Sequence, residues 1–150
     1  MLRGKSQGTI LCAEDDPDDR LLIAEAFAES GLLQALHFVE DGEELLEYLR
    51  GESPRSGQPP LPRPSLILLD LNMPRKDGRE ALRELKSDPE LRPIPVVVLT
   101  TSMAEEDIRL SYDLYANSFV VKPARFDSLV QLFRSLGQYW FSTAQLPFPG

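Results

Sequence analysis

Apolar residues fall along this chain in short unbroken runs, separated by longer stretches in which they recur every three or four positions. The first kind reads as buried strand and the second as amphipathic helix. The strand-like runs are Thr9–Glu14 (TILCAE), Leu36–Asp41 (LHFVED), Ser65–Asp70 (SLILLD), Ile94–Ser102 (IPVVVLTTS) and Asn117–Pro123 (NSFVVKP). Helical patterns follow each of them, at Asp16–Gly31, Gly42–Gly51, Gly78–Asp88, Glu105–Ala116 and Phe126–Trp140. The first helix carries its own punctuation, with Asp16 as N-cap, Pro17 at the first helical position and Gly31 as the stop. In the last, Leu129, Leu132, Phe133 and Leu136 share one face.

Strands alternating with helices predict an α/β fold, a five-stranded parallel sheet wound on both faces, and right-handed crossovers make 2-1-3-4-5 the expected strand order. The β-branched run in Ile94–Ser102, with no polar alternation, marks a central strand buried on both sides. ESPRSGQPPLPRP, from Glu52 to Pro64, holds five prolines in thirteen residues and no apolar period, so it reads as a loop.

Composition narrows the picture. One hundred and fifty residues, 42% of them hydrophobic, suit one domain with a real core. A formal charge of −8 argues against a nucleic-acid surface and suits a site for a cation or a basic partner. The single cysteine, Cys12, lies in an apolar run, which fits a buried thiol in a reducing compartment. No apolar run is long enough to span a membrane, and the N-terminus lacks the apolar segment of a signal peptide, so a cytoplasmic location is expected.

The polar residues that end the strands form a set. Glu14 and Asp15 follow the first strand, Asp70 the third, Thr100 ends the fourth and Lys122 the fifth, all at the sheet edge where open α/β sheets place ligands. Three carboxylates gathered there repel one another unless a cation shares them. All the candidate ligands are oxygen, so a hard ion, Mg²⁺ or Mn²⁺, is expected rather than zinc.

AEDDP, LLDLNMP, VVVLTTS and the Lys122-Pro123 pair, in that order, resemble the receiver domain of two-component response regulators across nearly the whole chain. Thr100 lies thirty residues after Asp70 and Lys122 fifty-two, spacings similar to those of the family. The resemblance implies that Asp70 accepts a phosphoryl group from a sensor histidine kinase. It implies that Asp15 binds the metal directly, Glu14 through water and Asn72 through its backbone carbonyl. Thr100 then hydrogen-bonds a phosphoryl oxygen, Lys122 neutralises charge, and Pro123 follows a cis peptide bond. It further implies a switch in which Thr100 moves toward the phosphoryl group and Phe119 turns inward.

The chain ends about a dozen residues after the last helix, leaving no room for an output domain, so signalling by protein contact is expected. Residues 1–138 form the receiver in this reading and 139–150 an extension. That tail, the proline-rich loop and the TTS after the fourth strand look like the single-domain regulators paired with bacterial and cyanobacterial phytochrome kinases. Tyr139, Trp140, Phe141, Leu146 and Phe148 are too many large apolar groups for a free tail, and they predict packing on this domain or across a homodimer. Two other classes stand beside this reading. A haloacid-dehalogenase-like phosphatase wants a second aspartate two positions after the first, where this chain has Asn72. A pseudo-receiver scaffold would lack part of the acidic pocket, which is intact here.

Overall fold

The computed structural model describes residues 8–51 and 62–147. Five strands, β1 (Thr9–Ala13), β2 (Ala35–Val39), β3 (Leu66–Leu69), β4 (Val96–Thr100) and β5 (Ser118–Val121), form one parallel sheet in the order β2-β1-β3-β4-β5. Every residue of the three central strands β1, β3 and β4 is buried, as continuous apolar runs require when both faces are covered. Side-chain alternation then splits the core in two. Leu11, Ala13, Ile67, Leu69, Val96 and Val98 belong to one layer, and Ile10, Cys12, Leu66, Leu68, Val97 and Leu99 to the other.

The helices are α1 (Pro17–Ser30), α2 (Gly42–Leu49), α3 (Gly78–Ser87), α4 (Glu105–Asp113) and α5 (Phe126–Gln138). α2 and α3 cover the first layer through Leu45, Leu46, Ala81, Leu82 and Leu85. α1 and α5 cover the second through Ile23, Ala26, Phe27, Leu129, Val130 and Phe133, with Phe27 and Phe133 edge to face at 5.6 Å. The three helices that begin beside the sheet's C-terminal edge after β1, β2 and β3 are all capped by aspartate. Asp16 accepts the Asp18 N–H, Asp41 the Glu44 N–H, and Asp77 those of Arg79 and Glu80.

The sequence places the last helix through Trp140, whereas the α-helix ends at Gln138 and the chain continues in a wider turn, Tyr139–Thr143, in which the Ala144 N–H bonds to the Tyr139 carbonyl. Trp140 and Phe141 turn onto the second core layer, while Tyr139 stays exposed. Gly8, just before β1, has φ +89, and a Cβ there would stand 3.0 Å from the Phe141 ring. Most of the proline-rich loop, and Phe148, lie outside the described residues. Among the described residues no helix is long and apolar enough to cross a membrane. The Cys12 thiol is buried, and that burial holds its pKa well above the ordinary thiol range, so it is inert.

Candidate functional site

β1 and β3 lie side by side, so the residues that leave their C-terminal ends meet. Oxygens of Glu14, Asp15 and Asp70 all lie within 4.8 Å of one another, an all-oxygen set of the kind a hard divalent cation takes. Glu14 and Asp70 are buried while Asp15 is partly exposed, so the trio opens to solvent on one side. Arg20, from the first turns of α1, does not neutralise these carboxylates. Its guanidinium donates to the backbone carbonyls of Glu14 (2.8 Å) and Asp15 (3.0 Å) and so fixes the turn that presents them.

Lys122 reaches the trio from the end of β5. Its Nζ lies 2.5 Å from Glu14 Oε1, 3.6 Å from Asp70 Oδ2 and 3.4 Å from Asp19 Oδ2. Burial works against the lysine charge, but Glu14, Asp70 and Asp19 outweigh it and hold the Lys122 pKa above its ordinary value. Burial pushes the Glu14 carboxyl the other way, above the usual carboxylate range, against the pull of Lys122 and of the Asp16 N–H. The site is thus short of positive charge. Asp19 escapes a reading of strand ends because it belongs to α1; the helical spacing from Asp15 to Asp19 was the signal available.

The loop after Asp70 is tightly tied. Asp70 Oδ1 accepts the Asn72 N–H at 3.2 Å, and the Gly78 N–H donates to the Leu71 carbonyl at 2.9 Å. A Cβ on Gly78 would stand 2.2 Å from the Asp70 carbonyl oxygen, so only glycine lets α3 begin this close to the strand end. Arg75 adopts φ +61 and reaches back to the buried Asp41, its Nε 2.8 Å from Oδ2.

Thr100 is fully buried at the end of β4, and its Oγ1 accepts the Ser102 N–H at 3.4 Å. Phe119 is half-buried against the first core layer, and its backbone N–H donates to the Tyr112 hydroxyl of α4 at 3.2 Å. The expected cis bond before Pro123 is absent, since no described peptide bond is cis. The trans form is intrinsically favoured even before proline, and here the Lys122 ammonium meets Glu14 from it.

Residues 10–134 match the family described as the response regulator receiver domain. The chain belongs to that family. It is a receiver-domain response regulator, a signalling protein, and its Glu14, Asp15 and Asp70 oxygens fit a divalent cation. Response regulator Rcp1 of Synechocystis sp. is 39% identical over 138 residues, 92% of each chain, and a crystal structure of its Mn²⁺-bound form superimposes with a TM-score of 0.82. The phosphorylated cyanobacterial phytochrome response regulator RcpA is 46% identical, with a TM-score of 0.85 over 95% of this chain and 100% of that one. RPA3017, a response regulator in red light signalling of R. palustris, is 39% identical with a TM-score of 0.87, covering 95% of this chain and 99% of its own.

Proposed function

We propose that this receiver accepts a phosphoryl group on Asp70 from a sensor histidine kinase and signals by contact with other proteins. The observation that carries the reading is the meeting of Glu14, Asp15 and Asp70 within 4.8 Å under the Lys122 ammonium. A carboxylate oxygen of Asp70 forms the new bond to phosphorus as the bond from phosphorus to the donor imidazole nitrogen breaks, and the electron pair leaves with the nitrogen. Lys122 offsets charge on the transferring oxygens, and the Thr100 hydroxyl hydrogen-bonds one of them. Glu14, Asp15, Asp70 and the Asn72 backbone carbonyl would hold a divalent cation, which would supply further neutralisation of that charge. The chain catalyses its own phosphorylation and dephosphorylation and no other reaction.

Likeness to RcpA, a phytochrome response regulator, and to RPA3017, of red light signalling, supports a phytochrome as the kinase's sensor. Residues 1–138 form the receiver and residues 139–150 an extension that pairs two copies. Exposed Tyr139 is apolar surface of that extension available to the homodimer. Phe119 follows Thr100 in the switch, and its backbone N–H, donated to the Tyr112 hydroxyl, ties β5 to α4 beside it.

Incubation with acetyl phosphate and Mg²⁺, followed by intact-mass measurement, tests the acceptor. One added phosphoryl group is expected on the native chain and none on Asp70→Asn, whose amide cannot attack phosphorus. Label persisting on Asp70→Asn refutes the assignment.

A further inference from the structure

The loop that follows Thr100 is held by side chains outside the acidic trio. α4 begins with Ala104 at its N-cap and so has no side-chain cap. Asp107, in the first turn, instead holds the loop that precedes the helix. Ser102 Oγ donates to Asp107 Oδ2 at 2.7 Å and accepts the Ala104 N–H at 3.3 Å. Arg79 grips the same carboxylate with two prongs, Nε to Oδ1 at 3.0 Å and Nη2 to Oδ2 at 2.9 Å. The remaining nitrogen, Nη1, lies 3.5 Å from the Leu71 carbonyl and 3.6 Å from Asp77. At the other end the Ser102 N–H donates to Thr100 Oγ1. A continuous series of polar contacts therefore joins the Thr100 hydroxyl, through Ser102, Asp107 and Arg79, to the backbone next to Asp70.

Two physical features set this series apart from an ordinary surface ion pair. The Asp107 side chain is only 13% exposed and that of Arg79 29%, so solvent screens the pair weakly. The guanidinium is a rigid planar fork, and a two-pronged grip fixes the orientation of the carboxylate as well as its distance. The Ser102 hydroxyl and Arg79 outweigh the opposing effect of burial and hold the Asp107 carboxyl below the usual carboxylate range, so the grip persists at neutral pH. Placement at the start of α4 adds the favourable interaction of an acid with a helix N-terminus.

We propose that Arg79 is a positioning residue for phosphoryl transfer, setting the place of the Thr100 hydroxyl through Asp107 and Ser102. The inference rests on the reading of Asp70 as acceptor and Thr100 as a donor to the phosphoryl oxygen. It adds a residue from α3 that touches neither group. Loss of the grip leaves the acidic trio and Lys122 in place but lets the loop after Thr100 wander. The reaction then slows at saturating donor, while the donor concentration for half-maximal rate stays as it was. Misplacing a group by about 1 Å is enough to cost roughly ten- to a hundredfold in rate.

The experiment compares native protein, Arg79→Ala, Asp107→Ala, the double variant and the milder Arg79→Lys. Two readouts are taken, the labelling rate at saturating acetyl phosphate and Mg²⁺, and the Thr100 methyl resonance in protein never exposed to phosphodonor. Each alanine variant is expected to label at least about tenfold more slowly, with an unchanged half-saturating donor concentration and a shifted or broadened Thr100 signal. The double variant is expected to be no slower than either single one, because the pair acts as a unit, and Arg79→Lys to fall between. Native rates with an unmoved Thr100 signal overturn the proposal, as do single losses that multiply in the double variant. Failure of the native chain to label, with the Thr100 signal still moved by Arg79→Ala, refutes the acceptor reading and leaves the positioning of Thr100 by Arg79 standing. An unmoved signal overturns that positioning whatever the labelling shows.

Discussion

Lys122 Nζ lies 2.5 Å from Glu14 Oε1, and the two side chains are 8% and 2% exposed, so the lysine is the cation of a buried acidic cluster. Its removal leaves the buried Glu14 and Asp70 carboxyls without that compensation. Lys122→Ala should cost about 3 to 5 kcal/mol of stability without metal. The melting rise produced by Mg²⁺ should then be larger than in the native chain, since the ion has more repulsion to relieve. Calorimetric melting of both proteins with and without Mg²⁺ checks it; an equal or smaller rise in the variant refutes it.

Asp15 offers the most open of the three carboxylates. Mg²⁺ binding only the folded arrangement should raise the melting temperature of the native chain at millimolar concentrations. Asp15→Ala should erase that rise while leaving the metal-free melting temperature unchanged or higher, because one repelling charge is gone. A metal-dependent shift surviving in Asp15→Ala removes it from the ligand set.

Gly78 stands where a Cβ would press on the Asp70 carbonyl at 2.2 Å and on Leu71 Cα at 2.6 Å, both backbone atoms that cannot step aside. Gly78→Ala should destabilise by about 1 to 3 kcal/mol or more and slow labelling of Asp70, since the shift falls on the acceptor's own backbone. Native-like melting and labelling in this variant would show that α3 can retreat freely.

Asp41 is 1% exposed, caps α2 and binds Arg75. Burial works against its charge, but the Glu44 N–H and the Arg75 guanidinium outweigh it, and its pKa lies below the usual carboxylate value. Below about pH 4 the unfolded chain therefore binds a proton that the folded chain resists. The stability from Asp41 is present above the unfolded value and is lost as pH falls toward the folded one. Asp41→Asn should cost about 1 to 2 kcal/mol at neutral pH and flatten the acid limb of a stability profile. An acid limb of unchanged slope counts against this assignment.

The tail is predicted to act twice. Trp140 and Phe141 pack on their own domain, so deleting residues 139–150 should lower stability by several kcal/mol. Tyr139 remains exposed, so the same deletion should yield a monomer, and Tyr139→Ser should do so with little loss of stability. Sedimentation over a concentration series decides; equal masses for full-length and truncated chains refute the tail-mediated dimer.

The sheet was legible because β1, β3 and β4 are apolar on both faces and alternate with helical patterns, as a parallel sheet covered by helices requires. Asp16, Pro17 and Gly31 bounded α1 for the same local reasons that they cap it. The acidic trio followed from strand ends alone, since parallel order makes sequence-distant ends neighbours. Arg79 was not legible, because its partner lies 28 residues away on another helix and nothing local marks the pair. Asp19 was missed for a related reason, as a helix residue whose distance to Lys122 depends on how α1 leans on the sheet. The widened turn at Tyr139 depends on where Trp140 finds a surface, which periodicity does not encode.

Gly8 and Phe141 meet at the start of β1, while Glu14 and Asp15 leave its far end. Five residues of extended chain, roughly 17 Å, separate the aromatic clasp from the acidic trio. A second copy seated on Tyr139, two residues before the clasp, and a phosphodonor at the trio would therefore approach from opposite poles, so one molecule has room for both at once. Assembly and labelling would then influence each other only through the stiffness of the sheet between them.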